Sequence, residues 1–250
     1  MEKIIYRQKG AVGYMFFNRP DKWNAMDTGM LDEIQALLDR LAGDETVRML
    51  VISGEGKSFS SGVDLKCLQT LDTVDEAKRF ARLLESTAER IFGFPKPTLA
   101  VINGLALGGG FGMATAADIR LMSTEARVGY PAVKLGAILP AGCTLLLESL
   151  VGRAKAMDLL LTGRQLDAPQ ALEMGLVHYI AEPEALEKRT AELAATILEG
   201  GDTALQLTKQ TINYRTQLLM QAATLYATDN FAYLSQTPDW EQRLKNFGKE

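Results

Sequence analysis

Side chains that hold metals or form disulfides are scarce in this sequence. It carries one histidine, His178, and two cysteines, Cys67 and Cys143, which form no CxxC pair. A metal centre is therefore not expected. The chain of 250 residues is long enough for one sizeable α/β core, or one core with a small appended lobe. Long apolar runs are missing too: the longest are too short and too glycine-rich to span a bilayer. The opening MEKIIYRQKG mixes charge with its apolar residues and does not read as a secretory signal. An excess of positive charge is also lacking, with 27 Lys and Arg against 31 Asp and Glu. That balance argues against nucleic acid as the main partner, because binding its backbone needs a concentrated positive surface. These absences describe a cytoplasmic protein with neither a membrane nor a nucleic-acid partner.

The residues that are present alternate strand and helix signals. Ile4 to Tyr6, Val12 to Phe17 and Val47 to Ile52 are rich in β-branched and apolar residues and read as strands. Met30, Ile34, Leu37, Leu38 and Leu41 recur at helical spacing, and a second helix is expected over 74–92, ending before Pro95 and Pro97. Thr98 to Ile102 reads as a strand that ends at Asn103-Gly104, followed by a glycine-opened helix through Ala117 and another strand over 118–123. Leu176-Val177 reads as a strand end. From Cys143 onward the pattern turns helical, with one long helix or a bent pair over 203–234 and a last amphipathic turn holding Trp240, Leu244 and Phe247. The expected division is a sheet-based body over 1–198 and a helical region over 199–250 that packs on the body or on a neighbouring subunit.

Two glycine segments, GEGKSFSSGVDL (54–65) and NGLALGGGFGMA (103–114), stand out. Gly54-Glu-Gly56-Lys57-Ser58 is not a phosphate loop, since the glycine required five residues before Gly-Lys-Ser is Val51 here. The second segment lacks GxGxxG spacing, so dinucleotide binding has no motif. Gly62 permits a tight turn that leaves the Val63 N–H free, and Gly108 to Gly110 open a helix whose first N–H groups lack acceptors. An acyl oxygen near both would receive two donors. Close helix–sheet packing is the alternative use of these glycines.

Four stretches, FNRPDKWNAM (17–26), GEGKSFSSGVDL, KPTLAVINGLALGGGFGMATAADI (96–119) and GRAKAMDLLLTGRQLDAPQALEMGLV (152–177), resemble the crotonase, or enoyl-CoA hydratase/isomerase, superfamily in order along nearly the whole chain. The resemblance implies an α/β spiral of repeated ββα units with a helical C-terminal region. It implies homotrimers, often paired into hexamers. It also implies a coenzyme A thioester as substrate, with no cofactor bound permanently and the Val63 and Gly109 N–H groups as the oxyanion hole. An acyl-carrier thioester is the other possible partner.

The same resemblance assigns acid–base carboxylates to two positions, and this sequence has Gly112 and Ala132 there. A third position, aspartate in some relatives, is Pro140. Hydration of a conjugated double bond needs one group to activate water and another to move a proton, so two-glutamate hydration is disfavoured. Double-bond isomerisation needs one proton shuttle, which Glu85, Glu89 or another residue of the 74–92 helix could supply. Decarboxylation of a malonyl- or glutaconyl-type thioester needs no initial base. A non-catalytic acyl-CoA binding or assembly subunit is the reading outside enzymology. Tyr130 is a candidate proton donor two positions before Ala132. A thiol mechanism at Cys67 or Cys143 would need a nearby base. Asp64 reads as a turn or cap residue and His178 as structural. For coenzyme A, the resemblance favours Lys66, Asn24 and the Ala25 backbone, with Lys22 as a further cation for the phosphates; Phe247 and Lys245 are candidates to reach a neighbouring ligand site.

Overall fold

The computed structural model describes residues 2–139 and 141–246; Pro140 and the candidate ligand contact Phe247 lie outside the described residues. The chain opens with a hairpin, β1 (Ile4–Lys9) and β2 (Val12–Phe17), paired antiparallel. A 3-10 turn over Pro20–Lys22 leads to α1 (Thr28–Ala42), whose N-terminus is capped by the Asp27 carboxylate accepting from the Met30 N–H at 2.9 Å. Three modules follow. The first is β3 (Met49–Gly54), β4 (Ser58–Ser60), α2 (Leu65–Gln69) and α3 (Val74–Phe92). The second is β5 (Thr98–Ile102), β6 (Leu105–Leu107) and α4 (Gly109–Ala116). The third is β7 (Ile119–Ser123), β8 (Val128–Gly129), a 3-10 turn over Pro131–Leu135 and α5 (Ala141–Val151). After these come α6 (Arg153–Thr162), β9 (Gln165–Leu166), α7 (Ala168–Met174), β10 (Tyr179–Ala181), a 3-10 turn over Pro183–Ala185, α8 (Leu186–Leu198), α9 (Asp202–Ser235) and α10 (Pro238–Asn246).

Each module sends its first strand to a six-stranded sheet of order β1-β2-β3-β5-β7-β10 and its second to a four-stranded sheet of order β4-β6-β8-β9. This alternation winds the chain into a spiral of ββα units. Covering both faces of the large sheet explains why β3 is buried at every position. Leu50 and Ile52 join the main core with Ala100, Ile102 and Met122, while Met49 and Val51 face the other way with Leu99, Val101 and Leu121 under Leu186 and Leu193 of α8.

Helix α3 begins with a full capping box between Thr73 and Glu76 and ends at Gly93, ahead of Pro95. The expected long C-terminal helix is a single unbroken α9, packed on α3 and α5. The strand expected at Leu176-Val177 is displaced. Both residues are buried after α7, and pairing begins at Tyr179 opposite Leu121. Among the described residues no helix is long and apolar enough to cross a membrane, both cysteines are free, and no group of three or more His, Cys, Asp or Glu side chains is placed to hold a metal.

Candidate active site

The two glycine segments meet. Gly62 has φ +99° and Gly108 φ +53°, conformations that favour glycine, and the residue after each is one of the two expected donors. Met26 forms a parallel bridge with Val63 in which the Met26 N–H donates to the Gly62 oxygen at 2.7 Å and the Asp64 N–H donates to the Met26 oxygen at 2.8 Å. Met26 thus uses both of its backbone groups, and Val63, lying between the bonded pair, turns its own N–H to the opposite side. Gly109 is the first residue of α4, so its N–H has no intrahelical acceptor. A Cβ on Gly62 would stand 3.5 Å from the Gly109 nitrogen and 2.7 Å from the Leu107 oxygen. The turn therefore lies directly against the start of α4.

Helix α4, GGFGMATA, is buried at all eight residues, as a helix apolar on every side must be. Its small residues allow the close approach: a Cβ on Gly110 would fall 2.4 Å from the Ser60 oxygen. The far end is closed by Arg120, which is 1% exposed. Its guanidinium donates to the oxygens of Ala117 at 2.7 Å and of Thr115 and Ala114 at 3.4 and 3.5 Å, and its Nε donates to the Leu176 oxygen at 2.7 Å. Burial lowers the Arg120 pKa to about 10, which leaves it charged at neutral pH. That charge sits where the helix dipole is negative, while the positive end faces Gly109. Burial of the His178 ring, with the Arg120 charge adding to it, lowers the imidazole to about 4. The neutral ring accepts the Arg120 N–H at Nδ1, 3.2 Å away.

Val63 and Gly109 both line a cleft of about 660 Å³. Its mouth carries Lys22, Lys66, Lys134 and Trp23, and its inner wall includes Leu84, Ile138, Leu139 and Phe231. Among the described residues the only carboxylate on the wall is Asp64, which accepts from the Arg19 guanidinium at 2.9 Å and caps the Lys66 N–H at 3.1 Å. The cleft therefore offers cations at its opening, apolar surface within, and two N–H donors between.

Of the residues expected to meet a ligand, Val63, Gly109, Ala25 and Lys66 lie together on this cleft, as does Lys22. Ala25 has its N–H bonded to the Lys22 oxygen at 3.0 Å and its oxygen bonded to Arg19. Asn24 is not on the wall. It is fully buried and its amide donates to the Ser58 and Glu55 oxygens at 2.8 and 3.0 Å, bracing the turn that presents Trp23 and Ala25.

Tyr130 is also off the wall. Its ring is fully buried against Phe111, with centroids 5.1 Å apart, and its hydroxyl shares a hydrogen bond with the Thr115 hydroxyl at 3.1 Å. Burial, with the Cys143 thiol as a further contributor, pushes the phenol well above its ordinary range. The chain passes the site at Pro131 and Ala132, which do line it, while the tyrosine ring turns inward. Cys143 fills the space beside Gly112: its sulfur would lie 2.1 Å from a Cβ there. Burial raises this thiol too, which makes it a packing group rather than a nucleophile. Glu89 is engaged by the Thr224 hydroxyl at 2.6 Å, whereas Glu85 is buried on the inner side of α3.

Sequence reasoning missed Trp23, Lys134, Leu84 and Phe231. Lys134 has a signal in hindsight, two residues beyond Ala132. Phe231 has none, since α9 reaches the cleft from a distant part of the chain.

A family profile described as Enoyl-CoA hydratase/isomerase matches residues 7–249. The short-chain-enoyl-CoA hydratase of Clostridium acetobutylicum is 32% identical over 248 residues, covering 99% of this chain and 95% of that protein. The crotonyl-CoA hydratase of Syntrophomonas wolfei is 33% identical over 247 residues, covering 98% and 95%. The crystal structure of an enoyl-CoA hydratase/isomerase from Xanthobacter autotrophicus Py2 superposes with a TM-score of 0.92 at 28% identity, covering all of this chain and 94% of that one.

Proposed function

The chain belongs to the enoyl-CoA hydratase/isomerase family, and from that premise we propose that it acts on an acyl-CoA thioester as an isomerase, shifting a double bond through an enolate. The observation that carries this reading is the pair of N–H groups, Val63 and Gly109, each directly after a glycine of positive φ, on a cleft whose single wall carboxylate among the described residues is tied to Arg19. The thioester oxygen would lie between these donors, where charge developing in the enolate is stabilised by groups already in place. Hydration would require two acid–base groups, and Gly112 and Ala132 supply neither. The open cleft favours turnover over a purely structural binding role.

The same shortage of wall carboxylates favours decarboxylation of a malonyl- or glutaconyl-type thioester as a second reading. Loss of carbon dioxide generates the enolate without a base, and the carrier could be coenzyme A or a carrier-protein arm. Mass spectrometry after incubation with 3-enoyl-, 2-enoyl-, malonyl- and methylmalonyl-CoA separates these reactions. Isomerisation leaves the mass unchanged and moves the double bond, hydration adds water, and decarboxylation removes carbon dioxide. Water addition to the 2-enoyl thioester as the main reaction would refute the proposed isomerase.

Lys66, exposed at the mouth beside Lys22 and Lys134, suits a phosphate of coenzyme A as a point charge. Lys66→Ala should raise KM about 2- to 5-fold with kcat unchanged, as expected for an exposed ion pair, and the effect should shrink with added salt. An effect confined to kcat in steady-state kinetics would remove Lys66 from ligand binding. The 199–250 segment is proposed as the assembly surface of a homotrimer or homohexamer. On α9, Ile212, Leu218, Leu225 and Tyr226 are all more than half exposed, which suits burial against a neighbouring subunit.

A further inference from the structure

Glu85 is the only acidic residue in the buried class among the described residues, at 1% exposure. It belongs to the inner stripe of α3, with Ala81, Leu84 and Ala88. Leu84, the preceding residue, lines the cleft, and its Cδ1 would stand 3.4 Å from a Cβ on Gly109. One turn along the donor helix, Gly112 follows Gly109 by three residues and so shares its face. The space a side chain at 112 would take is filled by the Cys143 sulfur, a thiol raised first by burial and then by the nearby Glu85 charge. Glu85 thus brings a carboxylate from α3 to the neighbourhood that α4 leaves without one.

Burying a carboxylate costs several kcal/mol before its partners compensate, and a leucine of similar size would avoid that cost. Glu85 is not itself on the wall; it follows Leu84, which is, and a buried ionisable group so close to a cleft is a functional-site candidate.

We propose that Glu85 is the proton carrier of this enzyme, serving the Val63/Gly109 donor pair from α3; the assignment rests on the isomerase reading above. With a 3-enoyl thioester, the Glu85 carboxylate removes a proton from C2. The electron pair of that C–H bond passes into the thioester, placing negative charge on the oxygen held by the two N–H groups. As the electrons return, a C2–C3 double bond forms, the C3–C4 double bond opens, and C4 takes the proton back from Glu85. The carboxylate is regenerated, and no atom is gained or lost.

The test compares wild type, Glu85→Gln and Glu85→Asp with 3-enoyl-CoA, reading steady-state kinetics and deuterium uptake at C2 in D2O by NMR. Glu85→Gln keeps size and hydrogen-bonding capacity but cannot carry the proton. It should lose about 100-fold or more in kcat and lose C2 exchange, while binding acyl-CoA with KM changed by less than 3-fold, roughly, as expected when only the reacting step is touched. Glu85→Asp should retain part of both activities. Wild-type rates and exchange in Glu85→Gln, or equal losses in the two variants, would overturn the assignment and leave the isomerase reading standing. An inactive wild type that neither isomerises nor exchanges this substrate would overturn the reading and the assignment together.

Discussion

Replacing Gly109 by proline should lower kcat/KM for the thioester by about 10²- to 10³-fold, the loss typical of removing one oxyanion donor. The variant replaces the N–H hydrogen by the ring Cδ, so the donor is lost and a methylene stands where the hydrogen was, while the fold is little disturbed. Gly109 is the first residue of α4, where proline's fixed φ suits a helix and its missing N–H breaks no helical bond. The preceding Gly108 sits at φ 53°, ψ −125°, the mirror image of the extended conformation that a residue before proline requires, and glycine adopts either hand. The added Cβ would lie 3.2 Å from Met26 Cε, 3.4 Å from Leu84 Cδ1 and 3.6 Å from Val63 Cγ2, so the first two neighbours need shift only slightly at their flexible ends. Gly109→Ala makes the same contacts and keeps the N–H. Alanine should therefore retain most activity, and kinetics showing equal losses for alanine and proline would assign the effect to crowding.

The elements most legible in the sequence were those with a signal at both ends. Helix α3 has Thr73 and Glu76 at its start and Gly93 before Pro95 at its close, and the expected range coincides with the observed one. The short strands β6, β8 and β9 carry two or three residues each. So few positions hold no periodicity, and their place in the small sheet is decided by partners far along the chain. Leu176-Val177 shows the opposite failure: two apolar residues suited to a strand are buried by tertiary packing after α7, and the strand follows at Tyr179.

For the site, backbone features were more legible than side-chain directions. A glycine before Val63 and another before Gly109 can be read as turns because φ is a local property. Whether Tyr130 points into the cleft or away from it depends on the pocket that Phe111 and Thr115 make for it, which no local spacing encodes. Gly112 likewise reads as a vacancy in the sequence. In the fold it is where α4 and α5 pack closely, since the Cys143 sulfur takes the volume that a side chain at 112 would need. The absence of one carboxylate and the presence of a small buried thiol are two parts of a single packing arrangement.

That arrangement depends on α4 being held from its other end, and Arg120→Met should expose the dependence. Methionine keeps much of the apolar volume but withdraws the donors to Ala114, Thr115, Ala117 and Leu176. The carbonyls at the end of α4 have no water to turn to, because Ala116 and Ala117 are themselves buried, and each buried acceptor left unmade costs about 1–3 kcal/mol. The two shortest bonds dominate, so a loss of about 3–5 kcal/mol is expected in urea denaturation, with Tm lower by about 10 °C for a chain of this size. Lysine would keep the charge but, as a compact cation, could not span acceptors on both α4 and the segment after α7; Arg120→Lys should recover only part of the loss. A change below about 1 kcal/mol in Arg120→Met would show that the packing of α4 alone fixes the helix. The expected larger change would mean that the hydrogen bonds of Arg120 anchor the end of α4 opposite the Gly109 donor.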